Sequence, residues 1–358
     1  MSNAYQVVQW NGHKKKYDLI MIATIVFYLV SFLSLGIFLF PTPEEISIPI
    51  LAIRASGTCA IIMLHFILMI GPLARVTPKL NAVLYNRRHI GVAFFCVAAV
   101  HGLLVFGYYG GFGVENPISA VLVGSHRSGG SPYEFYGFLA LLIFALMATT
   151  SHDFWLANLG AGFWKLIHMG VYVAYVLVLA HVVMGVLASE KNIVYPLLIT
   201  LGAATITALH LYNGLKEVRR DHRTVPVAEN SEWVDVCSVD EIKPNRAMII
   251  QINQHERIAV YRDNNSVSAI SNVCAHQGGP LGDGKIIDGC VTCPWHGYQY
   301  RAECGQSPPP YNEKIPTYGI RVEGRRVLIN PTPNDPGTPV EPAKFEALAK
   351  IKPEGEDG

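Results

Sequence analysis

Six long apolar stretches most strongly constrain how this chain can fold. Most of them are close to the ~20 residues that an α-helix needs to cross the hydrocarbon core of a bilayer, and only the fourth is short. The sequence therefore predicts a membrane domain of six helices over residues 19–215. The stretches are residues 19–40, 47–71, 90–110, 135–151, 163–188 and 193–215.

The composition agrees with a membrane protein. Only 15% of the 358 residues are charged and 51% are hydrophobic, whereas soluble globular proteins average about 25% charged residues. The net charge of +1 lacks the strongly basic character of a nucleic-acid-binding protein. A nucleic-acid partner and a mainly disordered chain are therefore excluded.

Lysine and arginine residues mark one side of the predicted membrane domain. The positive-inside rule assigns these residues to the cytoplasm, so both termini are predicted to be cytoplasmic in a bacterial-type inner or plasma membrane. Residues 19–40 exceed the ~7–15 residues of a signal-peptide core, so residues 1–18 are interpreted as a cytoplasmic N-terminus before an uncleaved anchor. The basic residues are Lys14, Lys15 and Lys16; Arg75, Lys79, Arg87 and Arg88; and Lys216, Arg219, Arg220 and Arg223.

The pattern changes after Pro226. Short β-type runs at 248–252, 257–261 and 325–329 alternate with Asn, Asp, Gly and Pro turns. They predict a small all-β domain over residues 231–332, joined to the membrane domain by a linker at 216–230. Residues 333–358 are rich in Pro, Glu and Gly and are expected to be mostly disordered, with one segment, 343–351, that could form a short helix. No internal repeat is predicted.

Two Cys/His pairs in the β domain are the sharpest chemical signal. Cys274-Ala-His276 is followed by Cys293-Pro-Trp-His296. Two thiolates and two imidazoles on two loops suit a [2Fe–2S] cluster in which one iron takes sulfur ligands and the other takes nitrogen ligands. The alternative is a structural zinc site, but the spacing differs from that of zinc fingers and the glycine-rich loop that includes Gly278 and Gly279 would stay unexplained.

These residues resemble the Rieske family over about 231–332. The resemblance implies that Cys274 and Cys293 hold the inner iron, while His276 and His296 hold the solvent-facing iron. Rieske proteins of quinol:cytochrome c oxidoreductases carry two further, disulfide-bonded cysteines, where Gly279 and Trp295 stand here. The resemblance is therefore to the ferredoxin-type and oxygenase-type branch, with a potential near the low end of about −150 to +300 mV. Cys290 and Cys304 are expected to be free thiols.

Seven histidines lie in or at the ends of the apolar stretches, where ionisable groups are costly and usually functional. His101 and His181 share one predicted depth. His168 and His65 share another, ~20 Å away by helix rise, as two stacked b-type haems would require. His152 and His210 are interpreted as packing or interfacial residues.

The sequences around Arg87, His89 and His101, and from Trp164 to His181, resemble the ferric reductase-like transmembrane family over about 47–187. The resemblance implies one or two b-type haems between the third and fifth helices. His101 and His181 are its strongest ligands and His168 is the next. The partner of His168 is either His65 or His89, with depth favouring His65. Arg54, Arg87 and Arg88 are candidate partners of haem propionates.

The combination predicts transmembrane electron transfer between a cytoplasmic Rieske cluster and membrane haem. The chain contains no Gly-x-Gly-x-x-Gly fingerprint, so we expect an electron-transfer component without its own flavin or nicotinamide site, reduced by a cytoplasmic ferredoxin or flavoprotein reductase. Electrons would leave to a quinone or an extracytoplasmic acceptor, and His126, Arg127, Glu115 and Glu134 are candidates for that site.

Two alternatives remain open. In the first, electrons flow in reverse, from quinol to a cytoplasmic oxygenase or reductase. In the second, the chain is a membrane-anchored Rieske protein whose membrane histidines bind a metal cargo. A Rieske oxygenase is not expected, because it would need a further domain with a mononuclear iron site.

Overall fold

The computed structural model describes residues 12–39, 47–77, 80, 83, 86–111, 116–123, 133–159, 161–189, 192–221, 224–225, 232–252, 257–276, 278–294, 297–309 and 311–346. The chain divides into two compact units, Met1–Tyr212 and Asn213–Gly358. The first is helical and the second is mostly β.

The helices are α1 (Gly12–Leu39), α2 (Ile48–Val76), α3 (Arg87–Gly111), α4 (Pro117–Val123), α5 (Tyr133–Thr149), α6 (Asp153–Leu159), α7 (Ala161–Met184), α8 (Val186–Ser189) and α9 (Val194–Asp221). Within the described ranges, five helices are long and apolar enough to cross a membrane. These are α1, α2, α3, α7 and α9. The helix α9 continues to Asp221, so the predicted linker at 216–230 begins inside a helix.

The predicted fourth spanning helix corresponds to α5, which is shorter than the other five. It has 17 residues, from Tyr133 to Thr149, and is ~25 Å long, which falls short of a ~30 Å hydrocarbon core. The count of six spanning helices is therefore not confirmed. Polar residues limit the apolar run: Glu134 begins it, and Thr150 and Ser151 follow its end.

The helical unit has a buried apolar centre and an apolar outer surface. Leu64, Phe94 and Phe144 belong to its core, where the rings of Phe94 and Phe144 pack edge to face at 4.8 Å. Phe38 and Leu103 are 80% and 71% exposed. Large apolar side chains in the core and on the outer surface are typical of a helix bundle surrounded by lipid.

The second unit contains strands β1 (Thr224–Val225), β2 (Val234–Ser238), β3 (Arg246–Ile252), β4 (Arg257–Asp263), β5 (Ser266–Ser271), β6 (Lys285–Ile287), β7 (Cys290–Thr292), β8 (Gln299–Arg301), β9 (Thr317–Glu323), β10 (Arg326–Pro333) and β11 (Ala343–Lys344). One sheet has the order β1-β3-β4-β5-β9-β10-β2, and β11 pairs with β5. A second sheet has the order β6-β7-β8. The predicted strands at 248–252, 257–261 and 325–329 are present.

The segment after β10 is folded, at least as far as residue 346. Strand β11 pairs antiparallel with β5, with Ala343 opposite Val267. Phe345 is 7% exposed within the core of the large sheet, and the Arg262 guanidinium lies 5.1 Å from its ring centre. The prediction of disorder is therefore wrong for 334–346, and 343–344 form a strand, not a helix. Residues 347–358 lie outside the described ranges.

Candidate functional site

Two cysteine loops in the β unit make the same turn. In the first, the Gly278 amide donates to the Cys274 carbonyl at 2.7 Å and the Cys274 amide donates to the Gly279 carbonyl at 2.9 Å. In the second, the Gly297 amide donates to the Cys293 carbonyl at 2.9 Å, and the Cys293 amide donates to the Tyr298 carbonyl at 2.8 Å. The fourth residue is a glycine in both, with φ of 70° and 68°, a conformation that favours glycine.

The two cysteine side chains are buried beneath these turns. Cys274 and Cys293 are each 2% exposed. The hydroxyl of Tyr300 lies 3.4 Å from the Cys274 sulfur. Burial and the neighbouring sulfur raise the pKa of Tyr300 above its ordinary value, so the hydroxyl keeps its proton and would be the donor to a cluster-bound thiolate.

His276 belongs to the first loop and is half-buried. Its ring stacks on Tyr298, with centroids 4.8 Å apart and planes 9° from parallel. The Tyr298 hydroxyl donates to the carboxylate of Glu313, and burial together with that carboxylate raises the pKa of Tyr298. The remaining predicted ligand, His296, lies outside the described residues.

The donor set fits a [2Fe–2S] cluster. Two buried sulfurs and a half-exposed imidazole suit a cluster with thiolates inside and imidazoles toward solvent. Among the residues that the structure describes, no three His, Cys, Asp or Glu side chains are grouped closely enough to hold a metal ion. Cys290 and Cys304 are separate thiols, and burial raises the pKa of Cys290.

His101 and His181 face each other in the helical unit. Their ring centroids are 6.3 Å apart and their planes are inclined by 78°. Metal–imidazole bonds of about 2.0–2.1 Å, the zinc value, separate two ligating nitrogens by roughly 4 Å across a metal ion and their ring centroids by about 6 Å. The spacing therefore fits two imidazoles that would both hold the iron of one haem.

A backbone carbonyl holds each of these rings. His101 Nδ1 lies 3.0 Å from the Ile53 carbonyl oxygen, and His181 Nδ1 lies 2.9 Å from the Tyr133 carbonyl oxygen. Because a carbonyl only accepts, each Nδ1 is the protonated nitrogen and each Nε2 keeps a lone pair for a metal.

A glycine four residues after each carbonyl makes room for the ring. A Cβ at Gly57 would lie 3.0 Å from the His101 ring, and one at Gly137 would lie 2.9 Å from His181 Nδ1. Carbonyl, glycine and histidine are at 53, 57 and 101 in the first set and at 133, 137 and 181 in the second, a uniform shift of 80 positions. The helical unit thus uses one local arrangement of carbonyl, glycine and imidazole twice.

His168 lies against Trp164 one turn earlier on α7. The two rings stack at 3.7 Å, and His168 Nδ1 bonds to the Trp164 carbonyl at 3.0 Å. The Trp164 indole donates to the Thr150 carbonyl at 2.7 Å, and the Arg88 guanidinium lies 5.5 Å from its ring centre. His168 Nε2 is buried without a hydrogen bond to any described residue.

The two candidate partners of His168 have other neighbours. His65 is 4% exposed and packs edge-on against Tyr175, with centroids 5.7 Å apart. His89 Nδ1 lies 2.7 Å from the Asp18 carboxylate of α1. The structure therefore brings His101 and His181 together, whereas the ring contact recorded for His65 among the described residues is with Tyr175.

His210 is hydrogen-bonded through both ring nitrogens. Its Nδ1 lies 2.9 Å from the Ile206 carbonyl and its Nε2 lies 3.1 Å from the Tyr172 hydroxyl. His152 Nδ1 accepts from the Phe154 amide at the start of α6. These three contacts suit the packing or interfacial roles expected for the two histidines.

The arginines and the loop candidates are less defined. Arg54 follows Ile53 on α2, and Arg87 with Arg88 begins α3, so their pairing with haem propionates stays a prediction. Of the loop candidates, Glu115, His126 and Arg127 lie outside the described residues, and Glu134 lies in the first turn of α5.

Sequence reasoning missed the positioning residues. Gly57 and Gly137 leave room for the rings of histidines that come 44 positions later in the sequence and lie on another helix. The available signal was the identical spacing of the two glycines from His101 and His181.

Two family models match the chain in succession. The ferric reductase like transmembrane component matches residues 56–179, and the Rieske [2Fe-2S] domain matches residues 232–319. The two matches follow the order of the helical and β units and include His101 and the cysteines of both loops.

The similar curated proteins match the β unit. The ferredoxin component of the alkene monooxygenase system of Xanthobacter autotrophicus is 32% identical over 106 residues, which are 29% of this chain and 86% of that protein. The biphenyl dioxygenase ferredoxin subunit of Pseudomonas sp. is 33% identical over 101 residues, 27% of this chain and 91% of the subunit.

Among solved structures, the ferredoxin of carbazole 1,9a-dioxygenase from Nocardioides aromaticivorans has 28% identity and a TM-score of 0.27, covering 28% of this chain and all of the ferredoxin. The sequence matches, together with the buried cysteine loops, show that the chain belongs to the Rieske [2Fe-2S] family through its C-terminal unit, which is fused to a ferric reductase-like transmembrane component.

Proposed function

We propose that this chain transfers single electrons between a Rieske [2Fe–2S] cluster and b-type haem within a membrane. The observation that carries the proposal is the His101–His181 pair, whose centroid distance of 6.3 Å suits one bis-imidazole haem. A bound haem would supply a one-electron redox centre inside the bundle. The Rieske loops would supply a second one in the same chain.

The chain's own residues prepare the haem ligands. The carbonyls of Ile53 and Tyr133 fix the tautomer of His101 and His181, so each ring presents Nε2 without rearrangement. Preorganised ligands lose little entropy on binding. The apolar core of the same unit, which includes Phe94 and Phe144, would give a bound haem a low-dielectric environment.

The proposed membrane arrangement has six spanning helices. It includes the short α5, because α5 supplies the Tyr133 carbonyl and Gly137 to the His181 site. Under the positive-inside rule, Arg75, Arg87 and Arg88 favour a cytoplasmic location for the end of the bundle that carries His168. His101 and His181 then lie toward the opposite side.

A second haem would use His168. Its buried Nε2 lacks a hydrogen-bond partner in the described part of the chain, which suits a ligand atom. Its partner is proposed to be His65 or His89. His65 would have to turn from Tyr175, and His89 would have to leave Asp18.

Haem stoichiometry and the reduced-minus-oxidised absorption spectrum of the purified full-length chain test the proposal. We expect one or two b haems per chain, with the outer haem bands lost in His101→Ala and His181→Ala. His210→Ala is the matched control, because its ring nitrogens are already hydrogen-bonded. A chain with an intact cluster and no haem would contradict the proposal and favour metal-cargo binding.

The proposed direction is from a cytoplasmic ferredoxin or flavoprotein reductase, through the Rieske domain, to a quinone or extracytoplasmic acceptor. The reverse direction is a second candidate, because the two curated proteins compared above are named as ferredoxins of oxygenase systems. Stopped-flow mixing of the oxidised chain with quinol distinguishes them. Rapid haem reduction followed by cluster reduction would support flow toward a cytoplasmic oxygenase or reductase.

A further inference from the structure

Glu134 is a buried acid close to the His101–His181 pair. Glu134 is 5% exposed and lies in the first turn of α5. The Tyr109 hydroxyl donates to Glu134 Oε1 at 3.1 Å. Ionisable side chains inside a membrane bundle are costly and usually functional, so this carboxyl group requires an explanation.

Backbone connectivity links Glu134 to the His181 site. The preceding residue, Tyr133, accepts the His181 Nδ1 hydrogen bond at 2.9 Å, and its ring lies 5.4 Å from the His181 ring. Tyr109 belongs to α3, the helix that carries His101. The Glu134 carboxyl group therefore links α5, which supplies the carbonyl that accepts from His181, to α3, which carries His101.

The positioning of His181 does not itself require an acid. In the repeated arrangement, the residue after the carbonyl is Glu134 in one set and Arg54 in the other. Both sets hold their histidine at similar distances, 2.9 and 3.0 Å. The Tyr133 carbonyl and Gly137 therefore position His181 without the Glu134 carboxyl group.

The Tyr109–Glu134 pair suits proton exchange. A tyrosine hydroxyl can donate to a carboxylate or accept from a carboxylic acid, so the pair keeps its hydrogen bond in either state. The titratable residues of the neighbouring elements that lie toward this end of the bundle are His101, Tyr108 and Tyr109 on α3 and His181 on α7, with Tyr133 and Tyr136 on α5 itself. Among the described residues of these elements, Glu134 is the carboxylic acid near the facing histidines.

Resting on the proposed function, we propose that Glu134 transfers protons to an acceptor of the quinone class at this end of the bundle. A quinone takes two electrons and two protons to become a quinol. The cytoplasmic donor supplies the electrons singly. Glu134 gives a proton to a quinone oxygen, the Tyr109 hydroxyl donates to the resulting carboxylate, and water at the membrane surface returns the proton before the second transfer.

This role discriminates between acceptor classes. A ferric chelate or ferricyanide takes an electron alone, so its reduction needs no buried acid. An apolar quinone that reacts within the bundle is separated from bulk water and needs a protein group to deliver protons. General acid catalysis by a positioned group typically contributes about 10²–10⁴-fold.

Infrared difference spectroscopy of the holoprotein tests the proton directly. The reduced-minus-oxidised spectrum should contain a carboxyl C=O band that shifts in D₂O, disappears in Glu134→Gln and moves in Tyr109→Phe. Tyr108→Phe is the matched control and should leave the band in place. An identical band in wild type and Glu134→Gln would overturn the proposal.

Stopped-flow oxidation of the reduced holoprotein gives the second readout. Glu134→Gln should lower the ratio of the rate with a short-chain quinone to the rate with ferricyanide by about 100-fold. Tyr109→Phe should lower this rate ratio by a smaller factor. If Glu134→Gln fails to bind haem, the rate ratio of Tyr109→Phe serves as the test. An unchanged ratio in the variants would overturn the proposal. A wild-type chain that binds no haem would instead refute the proposed function.

Discussion

The Rieske loops obtain their positioning contacts from residues four and five places along the chain, whereas His101 and His181 each donate to a carbonyl 48 residues away. The first kind of site depends on one short motif. The second depends on how helices pack. The same chain therefore positions its Rieske cysteines through local backbone geometry and its facing membrane histidines through long-range helix contacts.

The two regions also protect their ligands differently. In the β unit, both cysteine sulfurs are buried beneath glycine turns, and the Tyr300 hydroxyl contacts the sulfur of Cys274. In the helical unit, carbonyls that already belong to helices accept from His101 and His181. Substitutions in one region should therefore change its own redox centre and leave the other intact.

Removal of a cysteine ligand is the strongest test of this independence. Cys293→Ala removes a buried sulfur from the cluster, and we expect complete loss of the Rieske electron paramagnetic resonance signal with haem content unchanged. Cys290→Ala, which removes a thiol outside the motif, is the control. Loss of haem together with the cluster would show that the two regions depend on each other.

The contrast explains how far the sequence could predict each site. Cys274, His276, Cys293 and His296 form a compact motif, so their chemistry was predictable from residue type and spacing. The order of the carboxyl-terminal tail was not predictable, because Phe345 joins the core of the large sheet through long-range packing. Composition alone does not contain that contact.

In the membrane unit, sequence reasoning predicted which histidines share a depth but not which rings face each other. Depth follows from helix rise, and it paired His101 with His181. It also paired His168 with His65, yet the ring of His65 packs on Tyr175. Helix rotation and side-chain direction decide such contacts, and single-helix counting does not include them.

A second test concerns the tail and should affect the Rieske unit alone. Phe345→Ala removes a ring that is 7% exposed, and large-to-small substitutions of buried phenylalanine cost about 3–5 kcal/mol. Chemical denaturation followed through the cluster absorbance should show this loss, with haem spectra unchanged. Lys344→Ala, at an exposed neighbouring position, is the control. A stable Phe345→Ala variant would contradict the packing role.

A third test concerns the glycine under His181. In Gly137→Ala, the new Cβ would lie 2.9 Å from His181 Nδ1, so the ring must move. Overpacking of this kind costs about 1–3 kcal/mol, which corresponds to roughly 5- to 150-fold weaker haem retention. Competition for haem by apomyoglobin measures it. Gly107→Ala is the control, because no neighbouring atom lies within 4 Å of its added Cβ, and equal retention by both variants would disprove the packing role.

The smallest expected effect is electrostatic and lies in the β unit. Tyr300→Phe removes the hydroxyl that lies 3.4 Å from the Cys274 sulfur while keeping the ring. A donor to sulfur stabilises the reduced, more negative cluster, so its removal should lower the cluster potential. A hydrogen bond worth about 0.5–1.5 kcal/mol corresponds to a decrease of roughly 20–60 mV for one electron.

Redox titration followed by circular dichroism measures this decrease against Tyr311→Phe, whose ring contacts Tyr298. The haem potential should stay constant in both variants, because the hydroxyl acts on a sulfur of the local loop. An unchanged cluster potential in Tyr300→Phe would mean that the buried backbone turns, and not the hydroxyl, set the charge balance at Cys274. The β unit would then rely on backbone groups alone to position its redox centre, as His101 and His181 rely on backbone carbonyls.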